Sequence, residues 1–130
     1  GVMVCFDWAF PEVARILALK AAQVILHPAN LVLRFCQSAM VTRSLENGVF
    51  TATANRVGIE RGLRFTGGSQ VTTPSGTVCA YSLAETHDLV VADIEPDLAD
   101  DKMITPRNHR LLDRRPEVYG RLTRQASDST

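Results

Sequence analysis

Gly1-Val2-Met3-Val4-Cys5-Phe6-Asp7-Trp8-Ala9-Phe10-Pro11-Glu12-Val13-Ala14-Arg15 is the stretch on which the fold turns. Val2 to Phe6 form an unbroken apolar run, the pattern of a buried central strand. Asp7 to Phe10 interrupt it as a loop. Pro11 then suits the first position of a helix, where its missing N–H has no partner to lose, and Glu12 suits the positive end of the helix dipole. Val13, Ile16 and Leu17 follow at helical spacing towards Ala22. Val24 to His27 read as a second strand, ended by Pro28. Strand, helix and strand make a βαβ unit, whose right-handed crossover makes the strands parallel and brings Cys5 and His27 to one sheet edge. Ligands of α/β proteins bind at that carboxyl edge. A chain that opens inside a central strand reads as a piece of a longer one.

Downstream, Ala29 to Gln37 read as a loop with a buried flavour, from Leu31, Val32, Leu33 and Phe35. Ser38 as N-cap and Gly48 as C-terminal stop predict a helix over Ala39 to Asn47. Val49 to Asn55 alternate as a strand, with Phe50, Ala52 and Ala54 on one face and Val49, Thr51 and Thr53 on the other. Residues 56–68 hold four glycines among arginine and glutamate and read as a loop. Ser69 to Thr73 and Thr77 to Ser82 flank Pro74-Ser75-Gly76, a hairpin signal. Leu89 to Ile94 predict another strand, and Pro96 to Lys102 at most a short helix. From Ile104 the chain is polar, basic and interrupted by proline, as in a tail that packs on something else.

The bulk numbers set limits. With 130 residues the chain is one domain or part of one. Its net charge is zero, so nothing draws it as a whole to nucleic acid or to an anionic membrane surface. Six of the twelve arginines lie after Pro106, but no aromatic residues interleave with them for base stacking. Three widely spaced cysteines without a CxxC pattern fit reduced thiols in a cytoplasmic protein better than a disulfide framework or a zinc site. No apolar run reaches the roughly 18 residues of a membrane span, and no basic segment opens a signal peptide. No metal site or cofactor motif is read.

Cys5 is the sharpest candidate for chemistry. At the end of a buried strand, before a polar turn and a helix, a nucleophile is rigidly held and the backbone N–H of Phe6 is placed to meet an oxyanion. A small buried hydrophobe is the plainer reading. His27 is the one base that topology brings to the same edge, although a histidine that ends a strand more often bonds nearby backbone. Asp7, Glu12 and Arg15 form a charged group that reads as an ion-pair lattice around the loop after Cys5. Arg43, Glu46 and Asn47 read as ties between a helix and adjacent loops. Lys20 and Lys102 are not convincing catalytic lysines. Gly67-Gly68-Ser69 lacks the lysine and helix start of a phosphate loop.

The series from Val2 to Arg15, then Leu17-Ala18-Leu19-Lys20-Ala21-Ala22, Ile25-Leu26-His27-Pro28-Ala29-Asn30, Arg43-Ser44-Leu45-Glu46-Asn47 and Gly68-Ser69 through Pro74-Ser75-Gly76 resembles the nitrilase superfamily of carbon–nitrogen hydrolases in its order. That pattern runs hydrophobic strand, Cys, aromatic, Asp or Glu, then Phe-Pro-Glu and Arg. The resemblance covers roughly residues 1–120. It implies an α/β fold, half of a nitrilase-type four-layer α-β-β-α sandwich with a mixed sheet. Residues 1–104 would be the C-terminal half of the domain, and 105–130 a tail packing on a partner subunit. It implies a Glu–Lys–Cys triad in which Cys5 is the nucleophile and Phe6 supplies an oxyanion N–H, the Glu and Lys belonging to the other half. A carboxylate base takes most of the force from a catalytic His27.

The implied reaction cleaves a nitrile or amide through a Cys5 thioester, and this chain alone is expected to be inactive. Trp8 and Ala9 stand where relatives acting on N-carbamoyl amino acids place arginines, which points to a small neutral or aliphatic substrate with Trp8 and Asn30 in the pocket. Expected partners are the small-molecule substrate, the N-terminal half of the same domain and further copies in a homo-oligomer such as a dimer. An acyltransferase of the same superfamily and a non-catalytic remnant are the alternatives.

Overall fold

The computed structural model describes residues 1–83 and 86–125. Residues 126–130 of the expected tail lie outside them.

The leading segment pairs with its neighbour only briefly. Val2 bridges Leu26 in parallel, Leu26 N–H donates to Gly1 O and Met3 N–H to Leu26 O, both at 2.9 Å. The expected strand to Phe6 stops there, because Cys5 already opens a 3-10 turn over Cys5–Ala9. Helix α1 (Pro11–Leu19) begins at Pro11 as the sequence predicts, but ends before Ala22. Its close is a Schellman arrangement: Ala22 N–H donates to Leu17 O and Ala21 N–H to Ala18 O, with Ala21 left-handed at φ 61°. Ala14 and Ala18, one turn apart, face the core.

Strand β1 (Val24–Ala29) runs through Pro28 rather than ending at it. Leu26 exchanges hydrogen bonds with the 1–3 segment, so by strand alternation the absent N–H of Pro28 points the same way, past the place where that segment turns off at Cys5. Helix α2 (Phe35–Asn47) starts four residues before the expected Ala39 and has no side-chain N-cap, so Ser38 lies inside its first turns. Of the apolar residues read as a buried loop, Leu31 is buried, but Val32, Leu33 and Phe35, the first residue of α2, are exposed. Gly48 closes α2 at φ 58°, as read from the sequence.

Strand β2 (Phe50–Asn55) lies parallel to β1, with Ile25 opposite Thr51 and His27 opposite Thr53. Residues 57–66, read as loop, form a hairpin of β3 (Val57–Glu60) and β4 (Leu63–Thr66). Its turn is Arg61-Gly62, both at positive φ (49° and 81°), which a right-twisted two-residue hairpin requires. Strands β5 (Gln70–Thr72) and β6 (Val78–Tyr81) flank Pro74-Ser75-Gly76 as expected. The main sheet has the order β1-β2-β5-β6, parallel in its first pair and antiparallel afterwards. This is the mixed sheet of the expected α/β fold.

Leu89 to Ile94 make no strand. Leu89 and Val91 stand 85% and 77% exposed, and no neighbouring backbone offers them a ladder. The short helix after Glu95 is a 3-10 turn, Pro96–Ala99. The tail is a small hairpin, β7 (Met103–Thr105) and β8 (Asn108–His109), followed by two 3-10 turns. It folds back on the helices: Lys102 Nζ donates to Asn47 O (3.2 Å) and Gly48 O (2.7 Å). A cation there satisfies the last carbonyls of α2 and complements its dipole.

Both helices cover one side of the sheet. Met3, Ala14, Ala18, Ile25, Leu31, Cys36, Met40 and Val49 form the core between them. On that side β2, β5 and the end of β1 bury polar residues: His27, Thr51, Thr53, Asn55, Gln70 and Thr72. Each is hydrogen-bonded, as burial demands. Ser44 and Thr51 hydroxyls meet at 2.8 Å, and Gln70 Nε2 donates to Gln37 O at 2.9 Å. The other side of the sheet carries Val2, Val4, Leu26, Pro28 and Ala54, all exposed. Among the described residues no helix is long and apolar enough to cross a membrane.

Candidate active site

Cys5 sits at an elbow. Its φ of 46° is left-handed, a conformation that costs a residue with a Cβ roughly 1–2 kcal/mol. Two bonds hold it there. Asp7 Oδ2 accepts the N–H of Val4 at 2.8 Å, and Asp7 N–H donates back to Val4 O at 3.0 Å, closing the turn around Cys5. From below, His27 Nε2 lies 2.8 Å from Cys5 O. Asp7 thus fixes the turn by capping rather than by an ion pair.

His27 is fully buried and reaches the carbonyl of Cys5; the recorded contacts of its ring are backbone and hydroxyl, the plainer of the two readings. A carbonyl carries no proton, so Nε2 holds the ring hydrogen. In the neutral ring Nδ1 then accepts from the Thr53 hydroxyl at 3.2 Å.

The charged residues serve the same elbow. Arg43 pairs with Glu46 at 2.9 Å and donates to Trp8 O at 3.3 Å, tying α2 to the turn. Asn47 Nδ2 donates to Arg43 O at 2.9 Å. Arg15 makes no ion pair with Glu12 among the described contacts. Burial lowers the pKa of its guanidinium, with Glu46 opposing and Arg114 adding to the effect.

A depression of about 450 Å³ opens beside Cys5 at the carboxyl ends of β1 and β2. Pro28, Asn30, Ala54, Asn55 and Arg56 line it with Cys5. Cys5 and Asn30 therefore meet at one site. Trp8 does not join them: it packs against the core, with its ring edge-to-face to Phe6 at 6.1 Å. The Phe6 ring is exposed, but its backbone N–H is the second of a 3-10 turn, a position without an acceptor inside the turn.

Asn55 and Arg56 were missed by sequence reasoning. Asn55 ends β2 and Arg56 follows it at the carboxyl edge used to place Cys5 and His27, so the same rule applied to this strand finds them. Asn55 is a staple: Oδ1 accepts Leu31 N–H at 2.8 Å, and Nδ2 donates to Gly67 O (2.6 Å) and Thr66 Oγ1 (3.0 Å). It locks the segment after Asn30. Arg56 pairs with Glu60 and lies over the Phe65 ring at 4.3 Å, at the rim.

All three cysteines are free, and they differ in character. Cys79 is exposed, Cys5 half-buried and Cys36 fully buried. Burial, and secondarily the proximity of Cys5, pushes the Cys36 thiol from 9.0 to about 12. Cys36 is thus an inert core group, and Cys5 is the thiol at the depression. Among the described residues no three His, Cys, Asp or Glu side chains assemble a metal site.

The sequence model described as Carbon-nitrogen hydrolase matches residues 1–102. The nitrilase of Pyrococcus abyssi is 50% identical over 121 residues, covering 93% of this chain and 46% of that protein. The carbon–nitrogen hydrolase of Helicobacter pylori G27 superposes with a TM-score of 0.87 at 26% identity, over 96% of this chain and 49% of that one. A variant of the amidase from Nesterenkonia sp. AN1 superposes at 0.75 with 32% identity, over 92% of this chain and 42% of that one. In that amidase the acetamide moiety of fluoroacetamide is covalently added at the active-site cysteine. The chain spans about half the length of the relatives it matches.

Proposed function

Because the chain belongs to the carbon–nitrogen hydrolase family, we propose that it supplies the nucleophile of an enzyme cleaving a nitrile or small amide at Cys5. The observation that carries this reading is the elbow itself. A left-handed cysteine, clamped at its carbonyl and capped at its turn, borders a depression at the carboxyl edge of two parallel strands. Stored backbone strain of this kind is kept where the surrounding bonds over-determine it, as at functional sites.

In the amide reaction a base takes the thiol proton and the Cys5 sulfur adds to the carbonyl carbon. The oxygen becomes an anion, which the Phe6 N–H stabilises. The base returns its proton to the leaving nitrogen, and collapse then expels ammonia and leaves a thioester on Cys5. Water then adds to the thioester carbon and releases the acid and the free thiol. The carboxylate base and the lysine cation come from a complementary half of the domain that covers the open sheet face, so the chain alone is inactive. Asn30 contributes to the wall of the finished pocket, and the tail after Ile104 meets a further subunit.

The test is ammonia release from a panel of nitriles and amides by the full-length protein. Hydrolysis that disappears in Cys5→Ser supports the proposal, and activity that survives this change refutes it. Added hydroxylamine trapping the acyl group at the expense of the acid would mark acyl transfer.

A further inference from the structure

Resting on that reading, we propose that His27 is a positioning residue that aims the Phe6 oxyanion donor by holding the other end of the same peptide unit. The Cys5 carbonyl and the Phe6 N–H belong to one planar trans peptide and point in opposite directions. Fixing the oxygen fixes the direction of the N–H. His27 Nε2 fixes that oxygen at 2.8 Å. The ring cannot turn, because Thr53 stands opposite it in the β1–β2 register and binds Nδ1 at 3.2 Å, and the whole side chain is closed off from solvent. The chain of contacts therefore runs from the Thr53 hydroxyl through the His27 ring to the Cys5 carbonyl, and the peptide plane carries it on to the Phe6 N–H.

The arrangement accounts for a polar residue in an apolar strand. A hydrophobe at position 27 would fill the same space on the face of β1 that Ile25 also buries, but it would leave the Cys5 carbonyl without that donor. Asp7 holds the turn from the Val4 side and leaves the Cys5–Phe6 peptide free to tilt, so it cannot replace the histidine.

The experiment uses the full-length protein with His27→Phe, His27→Gln and His27→Asn. A glutamine amide reaches the place of Nε2, whereas an asparagine amide reaches only that of Nδ1. In His27→Phe, kcat is expected to fall about ten-fold or more with KM within about two-fold, the signature of a lost transition-state donor. His27→Gln recovers most of kcat and His27→Asn does not. Alkylation of Cys5 by iodoacetamide develops no oxyanion, so its rate stays within about two-fold of the parent in each folded variant.

Unchanged kcat in His27→Phe overturns the proposal. So does a fall in which glutamine fares no better than phenylalanine, or in which kcat and alkylation drop together. The amide resonance of Phe6, observed in protein labelled with ¹⁵N-phenylalanine, decides independently of turnover. It is expected to move in His27→Phe and to stay in His27→Gln. If the parent protein hydrolyses nothing, the hydrolase reading fails while this resonance still judges His27, and an unmoved peak in His27→Phe rejects it.

Discussion

The helix side of the β1-β2-β5-β6 sheet buries His27, Thr51, Thr53, Asn55, Gln70 and Thr72, whereas its open side presents Val2, Val4, Leu26, Pro28 and Ala54. In β2 and β5 this inverts the usual order, in which a half-covered sheet keeps its apolar face inside. The buried side is stable because its polar groups are paired across elements, as Ser44 with Thr51 and Gln70 with Gln37. None of the five open-side residues named carries a charge or a polar side-chain atom. Leu26 at 52%, Val4 at 57% and Val2 at 59% exposure form contiguous apolar surface, which marks an interaction face rather than a solvated one. Cys5 lies at the boundary between the two, clamped by the polar side and opening towards the apolar one.

The largest effect should come from charging the open side. Leu26→Lys is expected to change the stability of this chain by no more than about 0.5 kcal/mol in urea titration, since the position is exposed. The same change should abolish hydrolysis by the full-length protein, where the proposed covering half must desolvate the ammonium. Retained activity would show that the face remains open to water.

The next effect lies on the helix side. Asn55→Ala removes the acceptor of Leu31 N–H and both donors to Thr66 and Gly67. A loss of about 2–4 kcal/mol is expected, because buried partners are left unpaired. Chemical denaturation monitored by circular dichroism checks it.

Cys36 supplies a pH test of the same side. Its thiol is raised in the fold, so the folded chain holds a proton that the unfolded chain loses first. Its contribution is complete below pH 9.0 and is lost as pH rises from there through about 12. Cys36→Ala should flatten that part of the alkaline stability curve. A finer probe is the hydroxyl pair. Thr51→Val alone is expected to cost about 1 kcal/mol by leaving Ser44 unpaired, whereas Ser44→Ala with Thr51→Val is expected to be nearly neutral.

Much of this was legible from residue order. Pro11, Gly48 and Pro74-Ser75-Gly76 mark real boundaries because each fixes a backbone angle or removes a donor. The β3–β4 hairpin was not legible, since its turn places Arg61, not asparagine or aspartate, in the first left-handed position. Leu89 to Ile94 were over-read, because residue type marks strand propensity and says nothing of a partner for the backbone. At the site, Cys5 and Asn30 follow from strand order. The bond from His27 to Cys5 O does not, because it ends on main chain and leaves no mark in residue type. Nor does alternation in β2 tell which face the helices cover, and here it is the threonine face.

The most direct measurement is peptide mapping by mass spectrometry after exposing the full-length protein to fluoroacetamide. Cys79 is an internal control, being the more exposed thiol, and Cys36 a buried one. The account predicts a covalent adduct on Cys5 and none on Cys79. Modification that follows exposure, on Cys79 with Cys5 untouched, would contradict Cys5 as the nucleophile.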